Sequence, residues 1–199
     1  NVLVFEDVAQ CVGGSYKGKR LGSIGNAGSF SLQHSKVINT GEGGIVTTDD
    51  EELLRRMLMF HDPSYKDFSV GTVKFREGEI PITGVNCRMN ELVAAMALAQ
   101  LPKMDMILRR ARENKRRVMK GIEGLGLNFR HIPDMEGEAA MNVTPFLPTA
   151  RKAQEFAKAL QAENIDAGVY YVPGLTTKDL HIYSCWDTIM HKKTISATG

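Results

Sequence analysis

The sequence has no apolar run of 18 residues, few cysteines, few aromatics and no surplus of either charge, and these lacks close off several classes of function. Without such a run no membrane-spanning helix is expected, and no basic segment leads into an apolar one at the N-terminus, so no signal peptide is read there. Cys11, Cys87 and Cys185 are odd in number and far apart, which fits neither a disulfide framework nor a zinc site. A reducing, cytoplasmic setting is expected. The net charge of +2 is too near zero for a nucleic-acid or membrane-surface protein. Internal repeats and low-complexity segments are also missing. What is present is a globular chain of 199 residues, 43% hydrophobic and 24% charged, enough for one large domain or a domain and a half. It has no initiating methionine and opens on NVLVFED, inside a strand-like run, so it is expected to be part of a longer protein.

Residues 2–5 (VLVF) form a continuous apolar run that ends in Glu6 and Asp7, the pattern of a strand buried on both faces whose polar residues emerge at its C-terminal end. In open α/β sheets ligands bind at that end. Residues 13–29 read as a loop with a hairpin around 16–21, which leads into the strand-like FSL at 30–32. After the TGEGG turn at 40–44 comes a β-branched strand at 45–48, then a helix over 51–60 capped by Asp49 or Asp50. Residues 61–83, broken by Pro63, Gly71, Gly78 and Pro81, read as a surface excursion. Leu92, Ala95, Met96 and Ala99 recur at helical spacing, and Met104, Ile107, Leu108 and Ala111 resume it after Pro102, giving two helices or one kinked helix. The basic stretch at 107–120 keeps its charges on one face, as a solvated helix does. Further on lie a strand candidate at 140–147, a helix at 149–164 and a strand at 167–172, a small α+β unit.

Within this frame Lys36 stands between an apolar run and a glycine-rich turn. It is either a solvated loop charge or a chemical group. A nucleophilic lysine must be partly deprotonated near neutral pH, which apolar flanks such as Val37 and Ile38 favour by desolvation. Such an amine condenses with an aldehyde, and the aldehyde most often held this way is pyridoxal phosphate. That cofactor needs a carboxylate at its ring nitrogen, a polar contact at its phenolic oxygen and donors for its phosphate. Asp7 is a candidate for the first and Gln10 for the second, while Ser29, Ser31 and Ser35 offer hydroxyls for the third. Asp7 could instead, or also, cap a following helix. Within one flat strand Ser31 and Lys36 would face opposite ways, so a bend must intervene if both reach one cofactor.

The segments EDVAQ, GKRLGSIGNAGSFSLQHSK, TGEGG and GVNCRMNELVAAMALAQL occur in that order, and together they resemble the DegT-like sugar and cyclitol aminotransferases, which are fold-type I pyridoxal phosphate enzymes. The resemblance is strongest over residues 1–101. It implies an α/β fold: part of an aspartate aminotransferase-like large domain with a mainly parallel sheet over 1–101, a connecting helix over 102–124, and part of a small α+β C-terminal domain over 125–199.

By the same resemblance Lys36 matches the lysine that forms the Schiff base with the cofactor and moves the substrate proton. Asp7 matches the acid at the pyridine nitrogen, Gln10 the contact to the ring and its phenolic oxygen, and Ser31 the phosphate-binding serine. Asn86 matches an asparagine that reaches the phosphate of the neighbouring subunit, which implies a homodimer with shared sites; it could instead be a turn residue after Gly84. Arg88 takes a structural or interface role, while Tyr170 and Tyr171 divide between core and cleft. The implied activity is transfer of an amino group from glutamate or glutamine to a keto or aldehyde group of a sugar, nucleotide-sugar or cyclitol. Gln33, His34 and Ser35 replace the histidine, small residue and threonine found before the lysine in many nucleotide-sugar members, and look closer to members acting on cyclitols, aminohydroxybenzoate precursors or eight-carbon acidic sugars. Sugar dehydratases of the family resemble this chain with histidine in place of Lys36, which argues against dehydration. A truncated, non-catalytic fragment is the other alternative, since the family's N-terminal phosphate cradle and stacking ring and the end of its small domain are not among these residues.

Overall fold

The structure is a computed structural model and describes residues 2–62, 76, 78, 80, 82–169 and 191. The chain divides into two compact units, one of residues 1–126 with 131–144 and the other of 127–130 with 145–199.

The first unit is organised by a mixed three-stranded sheet in the order β1 (Phe5–Asp7), β4 (Ala27–Ser31), β5 (Gly44–Thr47). β1 runs parallel to β4, with Asp7 opposite Ser29, and β4 runs antiparallel to β5. Between β1 and β4 the chain makes the hairpin expected around 16–21, from β2 (Ser15–Tyr16) and β3 (Lys19–Arg20). Its two-residue turn places Lys17 and Gly18 at φ 49° and 79°, the left-handed pair that matches the twist of the flanking strands and that glycine adopts freely.

Side chains alternate across β1, so Glu6 and Asp7 leave it on opposite faces. Glu6 turns to the loop after the hairpin, where its carboxylate accepts the main-chain N–H groups of Gly22 (2.8 Å), Ile24 (2.7 Å) and Gly25 (2.7 Å). Burial raises the pKa of this carboxyl, but the bonds from Gly25, Gly22 and Ile24 outweigh it and hold the group below the usual glutamate range. On the same face Gly28 lies against the backbone of Gly22, so close that a Cβ on either would collide with the other segment or with the Phe30 ring. Thr47 and Thr48 add hydroxyl bonds to the carbonyls of Gly22 (2.8 Å) and Asn26 (2.6 Å).

Asp50 is the cap of α1 (Glu51–His61), accepting from Leu53 N at 3.0 Å, and Asn90 caps α2 (Glu91–Gln100) through Val93 N at 3.0 Å. Pro102 falls in a single 3-10 turn, Leu101–Lys103, that joins α2 to α3 (Met104–Gly121), so the apolar series makes two helices. The core gathers where these helices meet the end of the sheet: Val12, Leu32 and Ile38 are buried against Phe30, Val37, Met89, Ala97, Met104 and Ile107. Residues 131–144 are tied into this unit by charge. Lys115 on α3 is buried and paired with Glu138 at 2.6 Å, and Arg112 Nε donates to the Glu138 carbonyl at 2.7 Å.

The second unit pairs β6 (Asn128–Phe129) antiparallel with β7 (Pro145–Phe146) and adds α4 (Ala150–Ala162), whose cap is Thr149 accepting from Lys152 N at 3.2 Å.

Three expectations need correction. The run at 2–5 is not buried on both faces: Val2 is 89% exposed and Phe5 62%, and among the described residues β1 pairs with β4 alone. The candidate strand at 140–147 shrinks to Pro145–Phe146, since Ala140 takes φ 57°, which ends an extended run. Residues 167–169 form no strand. Tyr170, Tyr171 and most of 63–81 lie outside the described residues.

Glu6→Gln keeps the shape of this clamp and loses its charge. A carboxyl whose folded pKa is depressed stabilises the fold above its ordinary range, and that contribution is lost as pH falls through the range. Urea midpoints measured against pH are therefore expected to fall on acidification more steeply for the wild type than for Glu6→Gln. Equal slopes would show that the clamp is not linked to folding.

Candidate active site

The other face of the sheet is built around Asp7. Residues two apart on a strand share a face, so Ser29 and Ser31 lie on one side of β4 with Asp7 opposite Ser29 on β1. Asp7 Oδ1 accepts from Ala9 N at 3.0 Å, a capping bond made to a turn rather than to a helix. Its second oxygen has no partner among the described residues, and the side chain is exposed. The turn carries the chain to Gln10, whose Oε1 accepts from Lys36 Nζ at 3.0 Å. Two candidates separated by 26 residues are thus in direct contact.

Lys36 is half-buried in a tight excursion between β4 and β5. The excursion is closed at its neck by Leu32 N to the Gly43 carbonyl (2.9 Å) and Thr40 N to the Leu32 carbonyl (2.9 Å). Leu32 and Ile38 are 1% and 3% exposed and anchor it at both ends. Between them Lys36 N donates to the Gln33 carbonyl at 2.9 Å, a β-turn that supplies a bend between Ser31 and Lys36.

The three serines differ in what remains for a ligand. The Ser29 hydroxyl donates to the Glu6 carbonyl (3.3 Å) and that of Ser35 to Gln33 Oε1 (2.6 Å). Ser31 Oγ accepts from Gln33 N (3.3 Å), and among the described residues nothing takes its proton. Cys11, next to Gln10, is pushed up in pKa by burial and then by the charges of Asp7 and Glu6, so it stays a thiol and a poor nucleophile.

Asn86 belongs to a different segment. Its Oδ1 accepts from Arg88 N (3.1 Å), the bond of a turn residue, and the flanking Val85 N and Cys87 N donate to the carbonyls of Phe60 and His61 at the end of α1. Arg88 pairs with Asp62. The described contacts of Asn86 do not include Lys36, Asp7, Gln10 or Ser31. Reasoning from sequence gives no part to Glu6, whose clamp orders the loop behind β1, nor to Gln33 beyond its departure from the common pattern. Adjacent carboxylates on one strand are a readable signal for the first; the second depends on how one side chain folds back.

A lysine against a carboxamide, an exposed carboxylate and a hydroxyl with its proton to give are a donor and acceptor set that suits pyridoxal phosphate. Among the described residues no cluster of histidine, cysteine and acidic side chains could hold a metal ion, and no helix is long and apolar enough to cross a membrane.

Comparison with known proteins agrees with this chemistry. Residues 1–187 match the DegT/DnrJ/EryC1/StrS aminotransferase family. A GDP-perosamine synthase of Escherichia coli O157:H7 is 38% identical over 173 residues, 87% of this chain and 45% of that protein. An L-glutamine:2-deoxy-scyllo-inosose aminotransferase of Micromonospora echinospora is 36% identical over 130 residues, 63% of this chain and 31% of that protein. Among solved structures, an E. coli GDP-4-keto-6-deoxy-D-mannose-3-dehydratase with bound hydrated PLP superposes with a TM-score of 0.70 at 21% identity, over 83% of this chain and 45% of that one. The chain spans less than half the length of each of these proteins.

Leu32→Ala removes the inner anchor of the Lys36 excursion. It is expected to cost about 2–5 kcal/mol of stability, the range for emptying a buried leucine site, read as a lower urea midpoint at unchanged slope. A loss under about 1 kcal/mol, smaller than such cavities give, would mean that the excursion closes without it.

Proposed function

The chain belongs to the DegT/DnrJ/EryC1/StrS aminotransferase family, and from that membership we propose that the protein is a pyridoxal phosphate-dependent aminotransferase acting on a sugar, nucleotide-sugar or cyclitol. The contact between Lys36 Nζ and Gln10 Oε1 is the observation that carries the reading. Lys36 would hold the cofactor through its amine, Asp7 would keep a proton on the ring nitrogen, Gln10 would contact the ring and its phenolic oxygen, and Ser31 would give its unspent hydroxyl proton to the phosphate. When bound, the cofactor supplies an electron sink that lets an amine leave an amino acid donor, glutamate or glutamine, and pass to a keto or aldehyde group of the acceptor.

The chain's own side chains do the rest. With its amine free, Lys36 would act as the acid-base group at the reacting carbon, and the turn that carries it would set its reach. Gln10 orients that amine by accepting from it. The one oxygen that Asp7 commits to Ala9 fixes its carboxylate, leaving the other to face a cation. GDP-perosamine synthase and the inosose aminotransferase support sugar-like acceptors and, for the second, a glutamine donor. The likeness to a dehydratase is one of fold. Lys36 stands where dehydratases of the family resemble it with histidine, which favours transfer over dehydration.

The division into a large domain over 1–101, a connector over 102–124 and a small domain over 125–199, and a cytoplasmic setting, belong to the same proposal. So does a homodimer in which Asn86 serves the neighbouring subunit's phosphate.

Borohydride reduction is expected to abolish the yellow absorbance of the protein and to leave a tag on Lys36, located by peptide mass. Lys36→Ala should lose both tag and turnover, and transamination at the wild-type rate by that variant would sink the assignment. Asp7→Asn keeps the acceptor for Ala9 N, so the thermal midpoint should hold while turnover falls roughly 100-fold, the scale of ~3 kcal/mol of lost transition-state stabilisation.

For the shared site, Lys36→Ala is mixed with Asn86→Asp. In a two-fold dimer each mixed pair carries one site with both defects and one with neither. Random exchange of equal amounts then restores up to about one quarter of sites. If subunit exchange is verified by mass and no activity returns, Asn86 does not serve a partner.

A further inference from the structure

Gln33 spends every polar group it has on the turn that carries Lys36. Its main-chain N–H donates to Ser31 Oγ (3.3 Å) and its carbonyl accepts from the main-chain N–H of Lys36 (2.9 Å), so one residue links the Ser31 hydroxyl to the backbone that carries the Lys36 amine. Its side chain folds back over the same turn, where Oε1 accepts both the main-chain N–H (2.9 Å) and the hydroxyl (2.6 Å) of Ser35. A backbone N–H can only donate, so the carboxamide oxygen is fixed on that side and its nitrogen on the other, 2.6 Å from His34 Nδ1. That nitrogen can only donate in turn. In this contact His34 Nδ1 is placed as the acceptor.

The two central residues of the turn, His34 and Ser35, are exposed, and they bury nothing that would hold the turn by packing. Without the carboxamide the span from Gln33 to Lys36 would keep two main-chain bonds, Lys36 N to the Gln33 carbonyl and His34 N to the Gly41 carbonyl (2.8 Å), and Ser35, whose N–H and hydroxyl both go to the carboxamide, would lose its tie to the turn. We propose that Gln33 is a positioning residue: its carboxamide holds His34 and Ser35 and thereby fixes the distance and direction of the Lys36 amine relative to Gln10 and Ser31. The inference rests on the reading of Lys36 as the point of cofactor attachment, and it assigns a physical task to a position where the sequence departs from the commoner family pattern. The effect is on rate. A reacting group displaced by about 1 Å can lose on the order of 100-fold in rate while binding is little changed.

The test compares wild type, Gln33→Ala and Gln33→Glu in the protein stripped of cofactor and then given pyridoxal phosphate. In wild type, capture on Lys36 is followed by absorbance and by borohydride tagging; absence of capture there overturns the parent reading and is recognised before any variant is compared. Given capture, Gln33→Ala is expected to slow it by about tenfold or more, within what such a displacement allows, and to lower kcat with little change in KM for the acceptor. Hydrogen exchange at the Ser35 and Lys36 amides should rise before cofactor is added, with exchange in β4 and α3 unchanged. Gln33→Glu retains the acceptor for Ser35 and should recover most of the capture rate. If Gln33→Ala does not fold, Gln33→Met, which keeps the bulk without the amide, takes its place. Wild-type capture and kcat in the amide-less variant, or a glutamate variant no better than it, would overturn the proposal.

Discussion

Two buried side chains, Leu32 and Ile38, fix where a lysine can be. They enter one core with Val12 and with residues of α2 and α3, and the chain between them is too short to do anything but turn. The strand that ends at Ser31, the turn at Gln33–Lys36 and the glycine-bearing return at 40–44 all depend on that double anchorage. Gly41 and Gly43, both at positive φ, let the return close on the neck bonds of Leu32. The helices α2 and α3 contribute no polar group to Lys36 among the described contacts. Their part is to supply the wall against which the anchors pack, and so the half-buried Lys36, beside an exposed turn, has a rigid base.

How far the sequence alone reaches depends on the distance over which each feature is determined. Local chemistry is legible: an aspartate at 49 or 50 before a helical run marks a cap, the stretch at 16–21 marks a hairpin, and Pro102 marks a break or a kink in the apolar series. Lys36 between an apolar run and a glycine turn is legible as a question. Its contact with Gln10, 26 residues away, is dictated by no spacing and comes into view only through the order of motifs. The errors have the same origin. Residues 2–5 are apolar, but apolarity does not say how many strands or helices lie beside them, and among the described residues β1 pairs with one strand. Residues 140–147 alternate well enough for a strand, yet the preceding segment is drawn onto α3 by Arg112 and Lys115, partners that lie more than 20 residues away. Gln33 escapes notice because a side chain that satisfies its own turn leaves no periodic trace.

The candidate site is made chiefly by subtraction. Hydroxyls and carboxylates crowd the C-terminal ends of β1 and β4, and most of them are already committed: Ser29 to Glu6, Ser35 to Gln33, one oxygen of Asp7 to Ala9, and the whole carboxylate of Glu6 to the loop behind it. What is left over is one lysine with its carboxamide, one carboxylate oxygen and one hydroxyl proton. Polar groups that are spent on the fold hold the unspent ones still, which is how a site can be stiff and reactive together.

The alternation of Glu6 and Asp7 makes β1 a matter of parity. Glu6 faces the loop and Asp7 the candidate site because they are neighbours, and inserting or deleting a single residue ahead of them would turn the whole strand over. Aspartate would then point at three amide donors set for a longer side chain, and glutamate at a space measured for a shorter one. Substitutions at 2–5 that stay extended leave this untouched, whereas a change of length by one does not. Over this stretch a lineage can drift in composition far more freely than in length, and only paired insertions would return each carboxylate to its own side.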